Sequence, residues 1–155
     1  MGLEHISSLY QTVIMDHYQH PRNQGKLDQP THHMELLNPT CGDAIVVECR
    51  VEDSVIQEIA FSGYGCAISM ASASMMTQAM KGLTIDQAKD LVEAFNALIG
   101  GQSQSQLDEE QVKNQLKEAV LLENIKQFPA RYKCAVLAWR ALEKGLNHEE
   151  SGEAI

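Results

Sequence analysis

The chain has 155 residues and carries 12 basic against 21 acidic side chains, which gives a formal charge of −9. Its length fits one domain with a real core, and 44% hydrophobic against 21% charged residues excludes wholesale disorder. The acidic balance argues against a nucleic-acid binder, which would present a basic face. No stretch approaches the ~18 apolar residues of a membrane span, and the N-terminus lacks an apolar signal segment, so we expect a cytoplasmic protein that does not bind a membrane.

The first half of the chain predicts one helix and a small sheet. An apolar stripe over residues 6–17 indicates a helix that ends before Pro21. Residues 45–51 and 55–61 each alternate between apolar and polar side chains, and the short polar turn between them indicates an antiparallel hairpin. A shorter apolar run over 34–37 predicts a third strand.

The second half predicts helices separated by Gly, Pro and capping residues. They cover residues 66–80, 84–99, 108–120 and 129–142. We therefore expect an α+β fold, with a small antiparallel three-stranded sheet packed against about five helices. Residues 1–146 are predicted to form a single domain, and residues 147–155 a flexible acidic tail.

Four cysteines and no CxxC pair indicate thiols or metal ligands rather than disulfides in a reducing cytosol. Cys41 lies in a Pro/Gly loop before a strand, Cys66 opens a helix, and Cys134 lies near the start of the last helix. A helix N-terminus favours the thiolate, which is both the nucleophilic and the metal-binding form. Cys49 shares a strand face with apolar residues, which predicts a core position.

Asp43 is the natural fourth ligand beside the three remaining cysteines. Three thiolates and a carboxylate suit tetrahedral Zn²⁺, and thiolates also hold iron–sulfur clusters. Spacing by itself leaves open a turn role for Asp43 and three unrelated thiols. Arg131 and Lys133 could be ordinary exposed cations, or they could stabilise the thiolate of Cys134.

Two other groups are weaker ligand candidates. His17 and His20 share one face of the first helix, but such a pair more often combines a solvated face with one ring packed on the core. The methionines of the 66–80 helix indicate helix packing rather than a copper site, because no matching soft-ligand pattern lies elsewhere.

Four separated segments, in this order, resemble the IscU/SufU family, whose domain is also called NifU-N-terminal-like. They are Asp16-His17-Tyr18-x-x-Pro21-Arg22-Asn23, Asn38-Pro39-x-Cys41-Gly42-Asp43, Gly63-x-Gly65-Cys66-Ala67-Ile68-x-x-Ala71-Ser72 and Arg131-x-x-Cys134. The resemblance implies a compact α+β fold and a role in iron–sulfur cluster assembly. It also implies a shared metal or cluster site made of Cys41, Asp43, Cys66 and Cys134.

Three departures favour the SufU-type branch of that family. IscU-type scaffolds have a His where this chain has Lys133. They also have a Leu-Pro-Pro-Val-Lys chaperone-docking motif where this chain has residues 126–130, so we do not expect an Hsp70-type chaperone as a partner. The segment at about 100–128 is similar to the insertion of SufU-type proteins.

The resemblance implies a zinc-dependent sulfurtransferase. Cys41 would accept persulfide sulfur from a SufS-type cysteine desulfurase and pass it to a downstream iron–sulfur scaffold or apo-protein. Arg131 would balance the negative charge of the site as a second catalytic residue. The alternative is a scaffold on which a [2Fe–2S] cluster is assembled at the same residues, with iron in place of zinc. A purely structural zinc module ranks third, and a thiol–disulfide oxidoreductase ranks last because the chain has no CxxC pair.

Overall fold

The chain forms an α+β fold, as the sequence predicts. The computed structural model describes the backbone of residues 2–102 and 104–155, and the side chains of residues 8–102 and 104–155. Within these ranges the helices are α1 (Gly2–Gln19), α2 (Ala67–Met80), α3 (Ile85–Leu98), α4 (Glu109–Leu116) and α5 (Tyr132–Leu146). The strands are β1 (His32–Asn38), β2 (Asp43–Glu52), β3 (Val55–Tyr64) and β4 (Glu153–Ala154). Two 3-10 segments, Lys117–Gln127 and Pro129–Arg131, lie between α4 and α5.

The sheet has four strands, so the prediction of three is wrong. Its order is β3-β2-β1-β4, and the first three strands are antiparallel while β4 runs parallel to β1. The backbone N–H of Ile155 donates to the carbonyl of Leu37 at 2.9 Å. This two-residue strand is held by backbone hydrogen bonds and has no alternating apolar pattern, so the sequence gives no sign of it. The extent of the domain and the flexibility of residues 147–155 stay predictions.

The core lies between the sheet and the helices α2, α3 and α5. Trp139 of α5 stacks on Phe95 of α3 with ring centroids 3.9 Å apart, and both side chains are fully buried. The Trp139 indole N–H donates to Ser72 of α2 at 2.9 Å, so the polar edge of this large ring is paired. The methionines of α2 are buried in the same core, which agrees with the helix-packing interpretation. Among the described residues, no helix is long and apolar enough to cross a membrane.

A buried histidine joins α1 to α2. His17 is fully buried, with Nδ1 2.7 Å from Ser74 Oγ and Nε2 3.0 Å from Glu118 Oε1. Further along both segments, the side-chain amide of Asn23 donates to Thr77 Oγ1 at 3.0 Å. Both ring nitrogens of His17 are engaged in this joint, so the histidine is a packing residue rather than half of an exposed ligand pair.

Two helix starts follow the predicted caps, whereas the last helix begins at Tyr132 and not at Pro129, which lies in a 3-10 segment. Capping boxes at Thr84 and Asp108 begin α3 and α4, as the sequence predicts. The predicted helix over 108–120 is wrong beyond Leu116, because Lys117 has a φ of +55° and breaks the α-helical hydrogen-bond ladder. A 3-10 segment continues the chain from that point.

Candidate metal centre

Three parts of the chain converge on one thiol-rich site. Cys41 lies in the β1–β2 loop, Asp43 begins β2, and Cys134 lies in the first turn of α5. The Sγ atoms of Cys41 and Cys134 and a carboxylate oxygen of Asp43 all lie within 4.8 Å of one another. The two sulfurs are 3.2 Å apart, and both cysteines are free thiols. Two soft sulfur donors and one hard oxygen donor therefore face a common point.

Cys66 stands at the edge of this group rather than inside it. It is the N-cap of α2, and its Sγ accepts the backbone N–H of Ser69 at 3.4 Å. Its sulfur is not among the donors that all lie within 4.8 Å of one another. Its backbone N–H, however, donates to Asp43 Oδ1 at 2.9 Å, and its thiol lies close enough to influence the ionisation of Cys134. The structure thus brings Cys66, the fourth predicted ligand, next to Asp43 and Cys134.

Asn38 is a site residue that the sequence reasoning did not single out. It is fully buried at the end of β1, where its side-chain amide donates to Asp43 Oδ2 at 3.0 Å and lies 3.8 Å from Cys134 Sγ. Its Oδ1 is buried without a hydrogen-bond partner among the described residues. The resemblance had included Asn38 in a motif, but an Asn-Pro pair by itself indicates only a turn.

Two glycines allow the approach of β3 and α2 to the site. A Cβ at Gly65 would lie 2.7 Å from Asp43 Oδ1, and a Cβ at Gly63 would lie 2.1 Å from the carbonyl oxygen of Ala44. Real Cβ atoms do not tolerate contacts this short, so neither position accepts a side chain without a shift. Gly63 and Gly65 are therefore required for close packing, the first against the backbone of Ala44 in β2 and the second against the carboxylate of Asp43.

The four candidate ligands differ in how deeply they are buried. Cys134 is fully buried and Asp43 only 2% exposed, whereas Cys41 and Cys66 are half-buried. Burial raises the pKa of the Cys134 thiol, and its contact with Cys41 and the charges of Cys66 and Asp43 raise it further. A bound cation would lower the pKa of the Cys134 thiol again, since it stabilises the thiolate that burial and the neighbouring charges disfavour.

The donor set fits a thiophilic metal. Cysteine sulfur with one carboxylate oxygen is a zinc-type combination, and Zn–S bonds of about 2.3 Å in a tetrahedron place two sulfurs about 3.8 Å apart. The sulfurs of Cys41 and Cys134 would have to separate by roughly half an ångström from their present contact. The unpaired Oδ1 of Asn38 is a further polar atom at the same place.

The remaining candidates lie outside the sulfur cluster. Lys133 is exposed, and its amine donates to the backbone carbonyl of Ile155 at 3.3 Å. Arg131 is exposed, and its charge acts on the hydroxyl of Tyr10. Cys49 is 1% exposed in the core, where burial raises its pKa to about 12, as expected for a packing residue.

The fold and the site together define a small α+β protein with a thiol-rich candidate metal centre. The family described as the NifU-like N-terminal domain matches residues 9–135, and this chain belongs to that family. This confirms the resemblance found in the sequence.

Named relatives agree with that assignment. The chain is 42% identical over 147 residues to the zinc-dependent sulfurtransferase SufU of Bacillus subtilis, covering 95% of each chain. It is 37% identical over 155 residues to the iron–sulfur cluster assembly scaffold protein IscU of Streptococcus pyogenes, covering 100% of this chain and 93% of the relative. A crystal structure described as a hypothetical protein superposes with a TM-score of 0.79 at 38% identity, covering 90% of this chain and 98% of that one.

Proposed function

We propose that this protein accepts sulfur from a SufS-type cysteine desulfurase, as a persulfide on Cys41, and passes it to a downstream scaffold or apo-protein. The observation that carries this proposal is the difference in exposure within the cluster. Asp43 and Cys134 are buried, whereas Cys41 is half-buried on a loop that a partner can reach. The SufU relative, named a zinc-dependent sulfurtransferase, supports the same chemistry.

The transfer step needs only a nucleophilic sulfur. Cys41 Sγ attacks the outer sulfur of the desulfurase persulfide, the new Sγ–S bond forms, and the donor S–S bond breaks. The donor cysteine leaves as a thiolate, so no external oxidant or reductant is consumed. Gly42, at a φ of +73°, forms the turn between the half-buried Cys41 and the buried Asp43.

We assign the metal-ligand roles to Cys41, Asp43, Cys66 and Cys134. A zinc ion there would keep the thiols deprotonated at neutral pH. Asn38 orients the carboxylate of Asp43 through its hydrogen bond to Oδ2. A divalent cation with three thiolates and a carboxylate would carry a net charge of −2, and the guanidinium of Arg131 would offset one unit of it.

A second candidate function is assembly of a [2Fe–2S] cluster on the same four residues. The IscU relative, named an assembly scaffold, favours it. The engagement of Lys133 with Ile155 favours the sulfur-transfer role instead. Lys133, directly before Cys134, directs its amine to the backbone carbonyl of Ile155. An IscU-type scaffold has a histidine at the position of Lys133.

The deciding experiment combines metal content, absorbance and desulfurase turnover. The chain is purified without added metal and assayed with a SufS-type desulfurase and free cysteine, beside Cys41→Ala and the core control Cys49→Ala. We expect about one zinc per chain, no visible absorption bands, and a stimulation of turnover that Cys41→Ala abolishes and Cys49→Ala keeps. A cluster that survives desalting and transfers to an apo-ferredoxin, without stimulation of turnover, would instead establish the scaffold role.

A further inference from the structure

Asn38 closes the loop that carries Cys41. Its backbone carbonyl accepts the N–H of Cys41 at 3.3 Å, and its Cα is paired with that of Asp43 in the β1–β2 register. An Asn followed by a Pro is a common start of a β-turn, where the Asn side chain often bonds to the backbone of the turn itself. Here the side chain is fully buried and contacts two candidate ligands instead. The turn therefore explains the backbone of Asn38 but not its amide.

One nitrogen of this amide serves both ligands. Asn38 Nδ2 donates to Asp43 Oδ2 at 3.0 Å and lies 3.8 Å from Cys134 Sγ, the longer separation that the larger radius of sulfur requires. A side-chain amide carries two N–H groups on this nitrogen, so both contacts are made at the same time. Asp43 begins β2 and Cys134 lies in the first turn of α5, so the amide joins two separate elements at the site.

The oxygen of the same amide shows that this arrangement has a cost. Asn38 Oδ1 is buried and has no hydrogen-bond partner among the described residues. Native proteins leave few buried polar atoms unpaired, because each one loses its hydrogen bonds to water. An apolar side chain of similar size would avoid this loss. We therefore expect the two N–H groups to have a role that an apolar side chain cannot fill.

Cys41 lacks a comparable donor. Its Sγ lies 3.2 Å from Cys134 Sγ, and no N–H group of the described residues bonds to it. Cys66 Sγ, in contrast, accepts the backbone N–H of Ser69 at 3.4 Å. Cys41 is also half-buried, on the loop between β1 and β2. Within the described part of the chain, the site thus consists of three ligands with N–H donors and one ligand without.

We propose, on the basis of the proposed function, that Asn38 is a positioning residue that makes Asp43 and Cys134 the fixed ligands of the metal, so that Cys41 is exchangeable without metal loss. Hydrogen bonds to ligand atoms set their direction and raise the affinity of a site for its metal. The amide is neutral, so it stabilises two anionic ligands without taking part in an ion pair. Metal retention therefore depends on a residue that supplies no ligand atom.

The test measures cobalt binding to the full chain, with Co²⁺ as the only metal present. Thiolate-to-cobalt absorption reports sulfur ligation, and competition with a chelator gives the dissociation constant. Asn38→Leu keeps a side chain of similar size but removes both N–H groups and the unpaired oxygen. Asn96→Leu is the matched control, because Asn96 is also buried and its amide donates to the carbonyl of Gln102 rather than to a candidate ligand.

We expect Asn38→Leu to bind cobalt about 10- to 100-fold more weakly than wild type, with altered thiolate-to-cobalt absorption. Asn96→Leu should bind cobalt as wild type does. Cys41→Ala should still bind cobalt through sulfur, and adding Asn38→Leu to it should weaken binding by nearly the same factor as in wild type. Adding Asn38→Leu to Asp43→Ala should weaken binding much less, because the amide has already lost its carboxylate acceptor.

Four results would overturn the role of Asn38. Two are equal cobalt affinity and absorption in Asn38→Leu and wild type, and an equal loss in Asn96→Leu, which would indicate a general effect on the fold. The third is a Cys41→Ala chain that binds no cobalt, because Cys41 would then not be exchangeable. The fourth is failure of both Asn38→Leu and Asn38→Ala to fold, which would make Asn38 a structural residue.

The same samples separate this role from sulfur transfer. Each variant is also assayed for stimulation of a SufS-type desulfurase with free cysteine. Asn38-dependent cobalt binding without any stimulation of turnover in wild type would contradict the proposed function and support the role of Asn38. Stimulation by wild type with cobalt binding that does not depend on Asn38 would support the proposed function and contradict this inference.

Discussion

The carboxylate of Asp43 accepts the backbone N–H of Cys66 at 2.9 Å, which joins the start of β2 to the N-terminus of α2. The other oxygen of the same carboxylate accepts the side-chain amide of Asn38 at 3.0 Å. The buried carboxylate of Asp43 thus links β2, which it begins, to the N-terminus of α2 at Cys66 and to the end of β1 at Asn38. The shape of the site and the stability of this part of the fold therefore depend on the same group.

Replacing this carboxylate should weaken both properties. Asp43→Asn keeps the size of the side chain but turns one oxygen into a donor, so either the Cys66 N–H or the Asn38 amide loses its acceptor. We expect a loss of about 1–3 kcal/mol in the free energy of unfolding, measured by urea titration of the metal-free chain. We also expect faster zinc loss to a chelator, while Asp28→Asn, at an exposed position, behaves as wild type. Unchanged zinc retention in Asp43→Asn would remove Asp43 from the ligand set.

Two glycine substitutions separate steric contact from backbone strain. Gly65→Ala places a Cβ 2.7 Å from Asp43 Oδ1, so the buried carboxylate must move, and we expect a cost of about 3 kcal/mol. Gly42→Ala meets no atom within 4 Å but keeps a φ of +73°, so we expect a cost of about 1 kcal/mol. Urea titration compares the two variants. Equal costs would show that the carboxylate accommodates the added methyl group.

The buried thiol of Cys49 should make stability depend on alkaline pH. Its pKa is raised by burial from 9.0 to about 12, so its stabilising contribution is complete below pH 9 and is lost as the pH rises toward 12. Each pH unit in that window should remove up to about 1.4 kcal/mol from the free energy of unfolding. Cys49→Ala lacks this titration, so its deficit relative to wild type should shrink between pH 9 and 12. A deficit that stays constant over this range would contradict the prediction.

Removing the last strand should cost stability without touching the cysteines. A chain shortened after Ser151 loses the backbone bonds from Gly152 to Glu35 at 2.8 Å and from Ile155 to Leu37 at 2.9 Å. It also uncovers the edge of β1, so we expect a loss of about 1–2 kcal/mol in urea titration. Glu153→Gln is the control, since it keeps the backbone and removes only a partly exposed contact with Lys144. Equal stability of the shortened chain and wild type would show that β4 does not contribute.

Local patterns were enough for most of the secondary structure. Alternation over β2 and β3 predicted the hairpin because the apolar positions of that pattern in β2, Ile45, Val47 and Cys49, are buried in the core. Thr84 and Asp108 predicted helix starts because a cap is a contact between residues three positions apart. The end of α4 before Lys117 was missed because the residue types around Lys117 do not indicate a positive φ at that position.

The sequence by itself determined the fold class, the family and the positions of the candidate ligands, because each depends on residue types and spacing within short segments. Tertiary structure decided what surrounds those ligands. Asn38 lies beside Cys134 across 96 positions of the chain, and Cys66 caps α2 at the edge of the cluster. The hydroxyl of Tyr10 is buried with no hydrogen-bond partner in the part of the chain that the structure describes. Such relationships depend on how whole helices and strands pack, which is set by the burial of their apolar faces together, and no local pattern carries that information.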